Sequence, residues 1–151
     1  MPFERILIAT DGSPAARGAV KAGLELARGT SARVTFVHAS PEISEQLFAE
    51  NPFTRDPPEK LVSADEVLRE ATELARAQGI EPRLELIGEH GSQAVADGIL
   101  GVADALEADV IVVGSRGRGA VASAVLGSVS TEVVLRARVP VLVAHAPDDG
   151  S

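Results

Sequence analysis

The sequence predicts an α/β fold, a doubly wound parallel sheet of five strands with helices on both faces, and three observations carry that expectation. Short apolar runs rich in β-branched residues alternate with longer segments of helical periodicity, in the order βαβαβαβαβ. Most of the connections are short and punctuated by Gly, Pro or Ser. Parallel strands need crossovers, and right-handed crossovers place helices on both faces of the sheet. At 151 residues, 45% of them hydrophobic, the chain is expected to form a single domain over 1–151 with a real core.

Taken in order, Arg5-Ile6-Leu7-Ile8-Ala9-Thr10 reads as the first strand, closed by the turn formers Asp11-Gly12. Ser13-Pro14 opens a helix, because serine is a favoured N-cap and proline loses no hydrogen bond at the first helical position. Ala16, Val20, Leu24 and Ala27 give that helix its apolar face, and Gly29 stops it. Val34 to Ala39 forms the second strand, ended by Ser40-Pro41. The segment from Glu42 to Glu59 reads as a long loop with a short helical turn near Glu45 to Glu50. Ser63-Ala64-Asp65-Glu66 matches a capping box, with a start one turn earlier near Lys60 as the alternative, and the helix buries Val67, Leu68, Ala71, Leu74 and Ala75 before Gly79. Arg83 to Gly88 alternates in part, as an edge strand does. Gly91-Ser92 caps a third helix with Val95, Ile99, Val102, Ala103 and Leu106 inward. Val110 to Val113 is a strand covered on both faces. A fourth helix from Ser128 to Arg136 turns Val129, Val133, Val134 and Ala137 inward, and stops before Pro140, which disfavours helical backbone at Val139. Val141-Leu142-Val143-Ala144 is the last strand.

Two strand orders suit this alternation. With the first strand beside the fourth, the loops at Asp11 and Gly114 meet where the winding reverses, at the carboxyl ends of the strands; with the first beside the third, Asp11 would instead face Gly88-Glu89-His90. The glycines of the fourth loop favour the former.

Composition removes several functions. Cysteine is absent, which excludes disulfides, thiolate metal sites and thiol redox chemistry. A formal charge of −8 opposes extended contact with nucleic acid or anionic lipid, and four Phe without Trp or Tyr supply no stacking platform. No apolar run approaches a membrane span, and MPFERILIAT carries no basic stretch leading into a secretory one. A cytoplasmic protein with neither nucleic-acid nor membrane partners is the expectation. His38, His90 and His145 lack metal-ligand spacing, and no nucleophile and base stand out, so neither a resident metal nor a catalytic residue is expected.

The informative stretch is ADVIVVGSRGRGAVASAVLGSVS, from Ala108 to Ser130, where a buried strand breaks into glycines and restarts as a helix. Glycine amides and a helix N-terminus suit a compact anion, which points to phosphate. The P-loop pattern fails, since Ala120-Val121 stand where Lys and Ser/Thr are required. Gly117-Arg118-Gly119-Ala120-Val121-Ala122 matches the dinucleotide fingerprint, but no acidic residue follows about twenty positions on.

Spaced instead as Gly114, two residues, Gly117, nine residues, Gly127-Ser128, the stretch resembles the nucleotide-binding signature of the universal stress protein family. The resemblance runs the whole chain, from ILIATDGS through VHA, DVIVVGSRGRG and LGSVS to VPVLVAHA. It implies the strand order 3-2-1-4-5 of the adenine nucleotide alpha hydrolase-like fold, binding of ATP with or without magnesium, and a homodimer joined through the last strand. By position it implies Thr10 and Asp11 at the adenosine end and Ala39 offering backbone groups to adenine. Gly114, Arg116, Gly117, Gly127, Ser128, Val129 and Ser130 would surround ribose and phosphates, chiefly through backbone N–H groups and the two hydroxyls. Singly, each glycine reads as well as a strand end or helix start, Asp11 as a turn residue, and Arg116 and Arg118 as solvated charges. The function expected is a non-catalytic, ATP-binding stress-response switch; the alternatives are an interaction module with an empty loop, or a slow ATPase relying on Asp11.

Overall fold

The computed structural model describes residues 3–40, 65–88, 92–116 and 126–146. Among these, five strands and four helices follow one another: β1 Arg5–Ala9, α1 Pro14–Ala27, β2 Arg33–Ser40, α2 Glu66–Arg76, β3 Arg83–Gly88, α3 Ser92–Leu106, β4 Val110–Gly114, α4 Ser128–Arg136 and β5 Val141–Ala144. Every strand pair is parallel and the order is β3-β2-β1-β4-β5, so β1 does lie beside β4. Ile8 of β1 pairs with Val37's neighbour Phe36 on one side and with Val112 of β4 on the other. β3 and β5 are the edges, as the broken alternation of Arg83–Gly88 predicts for β3.

The sheet carries a core on each face. Ile6, Ile8, Phe36, Val110 and Val112 pack under α1 and α2, whose Val20, Leu24, Leu68 and Ala75 are buried there. Leu7, Val37, Ile111 and Val113 point the other way, toward Ala96, Ile99 and Ala103 of α3 and Val133 of α4. Period-2 strands with both faces apolar are what a sheet buried by crossover helices requires.

The helix ends show the local chemistry. Ser13 caps α1, its hydroxyl accepting from the Ala16 amide at 3.3 Å, with Pro14 at the first helical position. α2 ends in a Schellman turn: Gly79 stands at φ +77°, the Ile80 amide donates to Ala75 and the Gly79 amide to Arg76, each at 3.0 Å. α3 ends in the same turn with Glu107 in the left-handed position, φ 53°, where a side chain is strained. There the Ala108 amide donates to Ala103 at 2.9 Å and the Glu107 amide to Asp104 at 3.2 Å.

Three expectations are corrected. The cap of α2 is Asp65 rather than Ser63: its carboxylate accepts from the Leu68 amide at 2.9 Å, so the helix starts at Glu66. Leu74 is 40% exposed and Val134 41% exposed, so neither belongs to the inner face of its helix. In α4 Ser130 is buried as well as Val133, because the first turn packs against the end of β4 through a small polar side chain, while Val129 and Ala137 pack half-buried on the same core as the spacing predicts. The loop from Glu42 to Glu59, the turn near Glu45 to Glu50, and the cap residue Gly91 lie outside the described residues.

Candidate functional site

The strand order brings the carboxyl ends of β1 and β4 side by side, and their outgoing connections run in opposite directions, to β2 and to β5. This is the switch point at which open α/β sheets form a ligand crevice. With Ile8 level with Val112, Thr10 and Gly114 leave the sheet at the same height.

On the β1 side the residues predicted for the site build a tight turn. The Thr10 hydroxyl accepts from the Gly12 amide at 3.2 Å and an Asp11 carboxylate oxygen accepts from the Ser13 amide at 2.9 Å. Gly12 sits at φ +78°, a conformation that costs glycine nothing. The Thr10 amide donates to Val37 of β2 at 3.0 Å, which anchors the turn to the sheet. Asp11 is thus first of all an Asx-turn residue, the plainer of its two expected roles. Ala39 lies one strand over, paired with Ile87 of β3.

On the β4 side Gly114 has a packing reason to be glycine. A Cβ there would lie 2.7 Å from the Ala15 carbonyl carbon and 2.8 Å from the Ala16 nitrogen, so the strand end rests directly on the first turn of α1. Beyond it the chain is tied in three places. The Ser115 amide donates to Ala144 and the Gly127 amide to Ser115, both at 2.7 Å, and the Ser130 hydroxyl donates to the Gly114 carbonyl. The Ser13 hydroxyl also reaches the Arg116 carbonyl at 3.5 Å, while the Arg116 guanidinium is exposed.

These bonds hold the start of α4 beside Gly114 and leave a particular set of groups open. Gly127 is the N-cap of α4 and offers no side-chain cap, unlike Ser13 of α1 and Asp65 of α2. Thr131 is the first residue whose amide is taken up, by Gly127 at 2.9 Å. The amides of Ser128, Val129 and Ser130 make no hydrogen bond among the described residues. Three N–H groups at the positive end of a helix, beside a strand end cleared of side chain, can hold an anion.

The structure therefore gathers Thr10, Asp11, Gly114, Arg116, Gly127, Ser128, Val129 and Ser130 at one end of β1 and β4, with Ala39 on the next strand. Gly117, Gly119 and Arg118 lie outside the described residues. Two hydrogen-bond donors expected for the ligand have protein partners: the Gly127 amide and the Ser130 hydroxyl position α4. Sequence reasoning missed Ser115, a buried residue whose backbone links β5 to the start of α4. It also missed a buried pair at the end of β2, where His38 Nδ1 lies 3.0 Å from an Asp65 oxygen. Only the capping preference of aspartate hinted at Asp65; nothing local signals a partner 27 residues away.

The sheet order, the all-parallel winding and the glycine-cleared switch point define the adenine nucleotide alpha hydrolase-like class of α/β fold. Within it, residues 2–145 match the family model of the universal stress protein family, and the chain belongs to that family. A universal stress protein from Archaeoglobus fulgidus is 27% identical at TM-score 0.68, over 93% of this chain and 98% of that one. The universal stress protein from Archaeoglobus fulgidus in complex with dAMP is 27% identical at TM-score 0.66, over 95% and 99% of the two chains. A universal stress protein in complex with cAMP is similar in fold, at 24% identity and TM-score 0.66, over 97% and 100%. Among curated proteins none matches the chain.

Proposed function

We propose that this chain is an ATP-binding member of its family, a stress-response switch that changes its surface or partners when nucleotide is bound and performs no catalysis. The observation that carries the reading is the uncapped first turn of α4, whose Ser128, Val129 and Ser130 amides stand beside Gly114 at the switch point. Phosphates would rest on those amides, with Gly117 and Arg116 closing around them and magnesium entering with the phosphates. The turn at Thr10 and Asp11 would face the adenosine end, and the backbone at Ala39 the base. The structures of relatives in complex with dAMP and cAMP support an adenine nucleotide as the ligand class. Calorimetry with ATP, with and without magnesium, on the wild type and on Gly117→Val tests the proposal. Binding in the wild type and its loss in the variant are expected; equal affinity, or none in either, overturns it. A mass spectrum of whatever leaves the purified protein on denaturation distinguishes ATP from other adenine nucleotides. Turnover unchanged in Asp11→Ala would remove the slow-ATPase alternative that depends on that residue.

We infer further a homodimer formed through β5, in the cytoplasm. β5 is an edge strand, Leu142 on it is 39% exposed, and Leu135 of the neighbouring α4 is 74% exposed. An apolar edge with unpaired backbone groups invites a second copy. The same observation supports a second reading, an interaction module whose dimer surface carries the function with no nucleotide in the cleft. Sedimentation showing only monomer at micromolar concentration would refute the dimer. No helix among the described residues is long and apolar enough to cross a membrane.

A further inference from the structure

The end of the sheet away from the switch point carries a cluster that neither the fold nor the nucleotide reading uses. Arg5, Arg33 and Arg83 are the first residues of the three adjacent strands β1, β2 and β3. Arg5 and Arg33 are register partners, and Arg83 is the partner of Thr35, two residues further along the same face as Arg33. Like charges in register on neighbouring strands repel, and that arrangement costs stability unless something of opposite charge is nearby.

Two of the three cations have carboxylates. Arg5 pairs with Glu107 and Arg83 with Glu85, both at 3.1 Å. One oxygen of the Asp109 carboxylate, Oδ2, accepts from the amides of Glu4 and Arg5, at 2.9 Å each, which turns Asp109 toward the backbone of β1 rather than toward Arg33. The Arg33 guanidinium has no ion pair among the described residues. Beside it lies a cavity of about 120 Å³ lined by these arginines together with Thr35, Leu7, Leu106 and Ala108. Thr35 is only 7% exposed, and its hydroxyl makes no hydrogen bond among the described residues. No buried side-chain oxygen or nitrogen there lacks a partner, so that hydroxyl opens onto the cavity. The carbonyls of the nearby last turn of α3 are partly taken up by the Ala108 and Glu107 amides, which reduces their repulsion of an anion.

We propose that this cavity is a second ligand site, for a small aliphatic monocarboxylate. One unmatched guanidinium suits a single negative charge, and its fork matches a carboxylate. The Thr35 hydroxyl donates a further hydrogen bond, and the hydrocarbon body lies on Leu106 and the edge of Ala108. The cavity, about 120 Å³ and open to solvent on one side, has room for a body of a few carbons. The site is at the opposite end of the strands from Gly114 and stands whether or not nucleotide binds.

The test is a titration of the full chain with sodium butyrate, followed by amide nuclear magnetic resonance, with butanol and inorganic phosphate as separate controls. Saturable shifts at Arg33, Thr35 and Leu106 are expected in the millimolar range. Arg33→Gln, at an exposed position, should weaken binding about tenfold or more, the loss of a charge-assisted hydrogen bond. Thr35→Val, close in shape, should weaken it severalfold. No saturable shift at tens of millimolar overturns the proposal, as does an unchanged affinity in Arg33→Gln. Tighter binding of phosphate, or equal binding of butanol, overturns the ligand class.

Discussion

Replacing Gly114 by alanine tests the central geometric claim, that the end of β4 rests on the backbone of α1. The added Cβ would stand 2.7 Å from the Ala15 carbonyl carbon, 2.8 Å from the Ala16 nitrogen and 2.9 Å from the Ala15 oxygen. Every one of these is a backbone atom, so no rotamer change relieves the overlap. Either the first turn of α1 or the strand end must move by several tenths of an ångström. Overpacking of this kind costs ~1–3 kcal/mol, and contact with backbone on the far side argues for the upper end. At about 2–4 °C per kcal/mol for a chain of this size, the melting temperature should fall by roughly 6–12 °C. Nucleotide affinity should fall with it, since Ser13, Ser115 and Ser130 are all positioned by this contact. Gly23→Ala is the control. Its Cβ would meet the buried Ile8 side chain instead, against Cδ1 and 2.6 Å from Cγ1, so relief needs a side-chain rather than a backbone rearrangement, and alanine in mid-helix offsets the cost by ~1 kcal/mol. Thermal unfolding and calorimetry on both variants decide the matter. A Gly114→Ala protein as stable as the wild type, or a Gly23→Ala protein damaged more severely, refutes the reasoning.

Gly101 lies in the middle of α3 with nothing within 4 Å of a built Cβ, so Gly101→Ala should gain about 1 kcal/mol, read as a higher urea midpoint. Asp65→Ala removes both the cap of α2 and the partner of buried His38, for a loss of roughly 2–3 kcal/mol, while Asp65→Asn keeps the cap and should recover about half. Equal losses in the two variants would show that the cap contributes nothing. The hydrogen bond from Arg76 holds the exposed Glu81 carboxyl below its usual 4.5, with desolvation opposing it. Because the folded value is the lower one, the stability from this pair is present above about pH 4.5 and disappears as the pH falls through the folded value. The difference in unfolding midpoint between wild type and Glu81→Gln should therefore be constant near neutrality and shrink in acid; growth of the difference toward low pH would contradict the sign.

Much of the site is legible in the sequence because its parts are local. Asp11-Gly12-Ser13-Pro14 announces a strand end, a turn and a capped helix within four residues, and the structure builds all three. Gly127-Ser128 likewise starts α4 where the glycine spacing places it. The misjudged positions are those where a local pattern competes with a distant neighbour. Leu74 and Val134 fit a helical apolar face by spacing, yet both remain exposed. Ser63 fits a capping box by spacing, but Asp65 both caps the helix and meets His38 across the end of β2, so the cap falls there.

By itself the sequence determines which segments are strands and which are helices, their order, and most of their ends. Periodicity, N-caps and left-handed glycines act between residues a few positions apart and need no knowledge of the rest of the chain. Tertiary structure alone decides why Gly114 must be glycine, since the backbone it touches, at Ala15 and Ala16, is about a hundred residues away. It also decides that the Gly127 amide and the Ser130 hydroxyl serve the protein, leaving the amides of Ser128, Val129 and Ser130 open among the described residues. The three arginines at the far end of the sheet, spread from Arg5 to Arg83, become neighbours only through the order and register of β1, β2 and β3. Strand order and register are set by how crossover helices cover both faces of the sheet, a property of the assembled chain and of no single stretch within it.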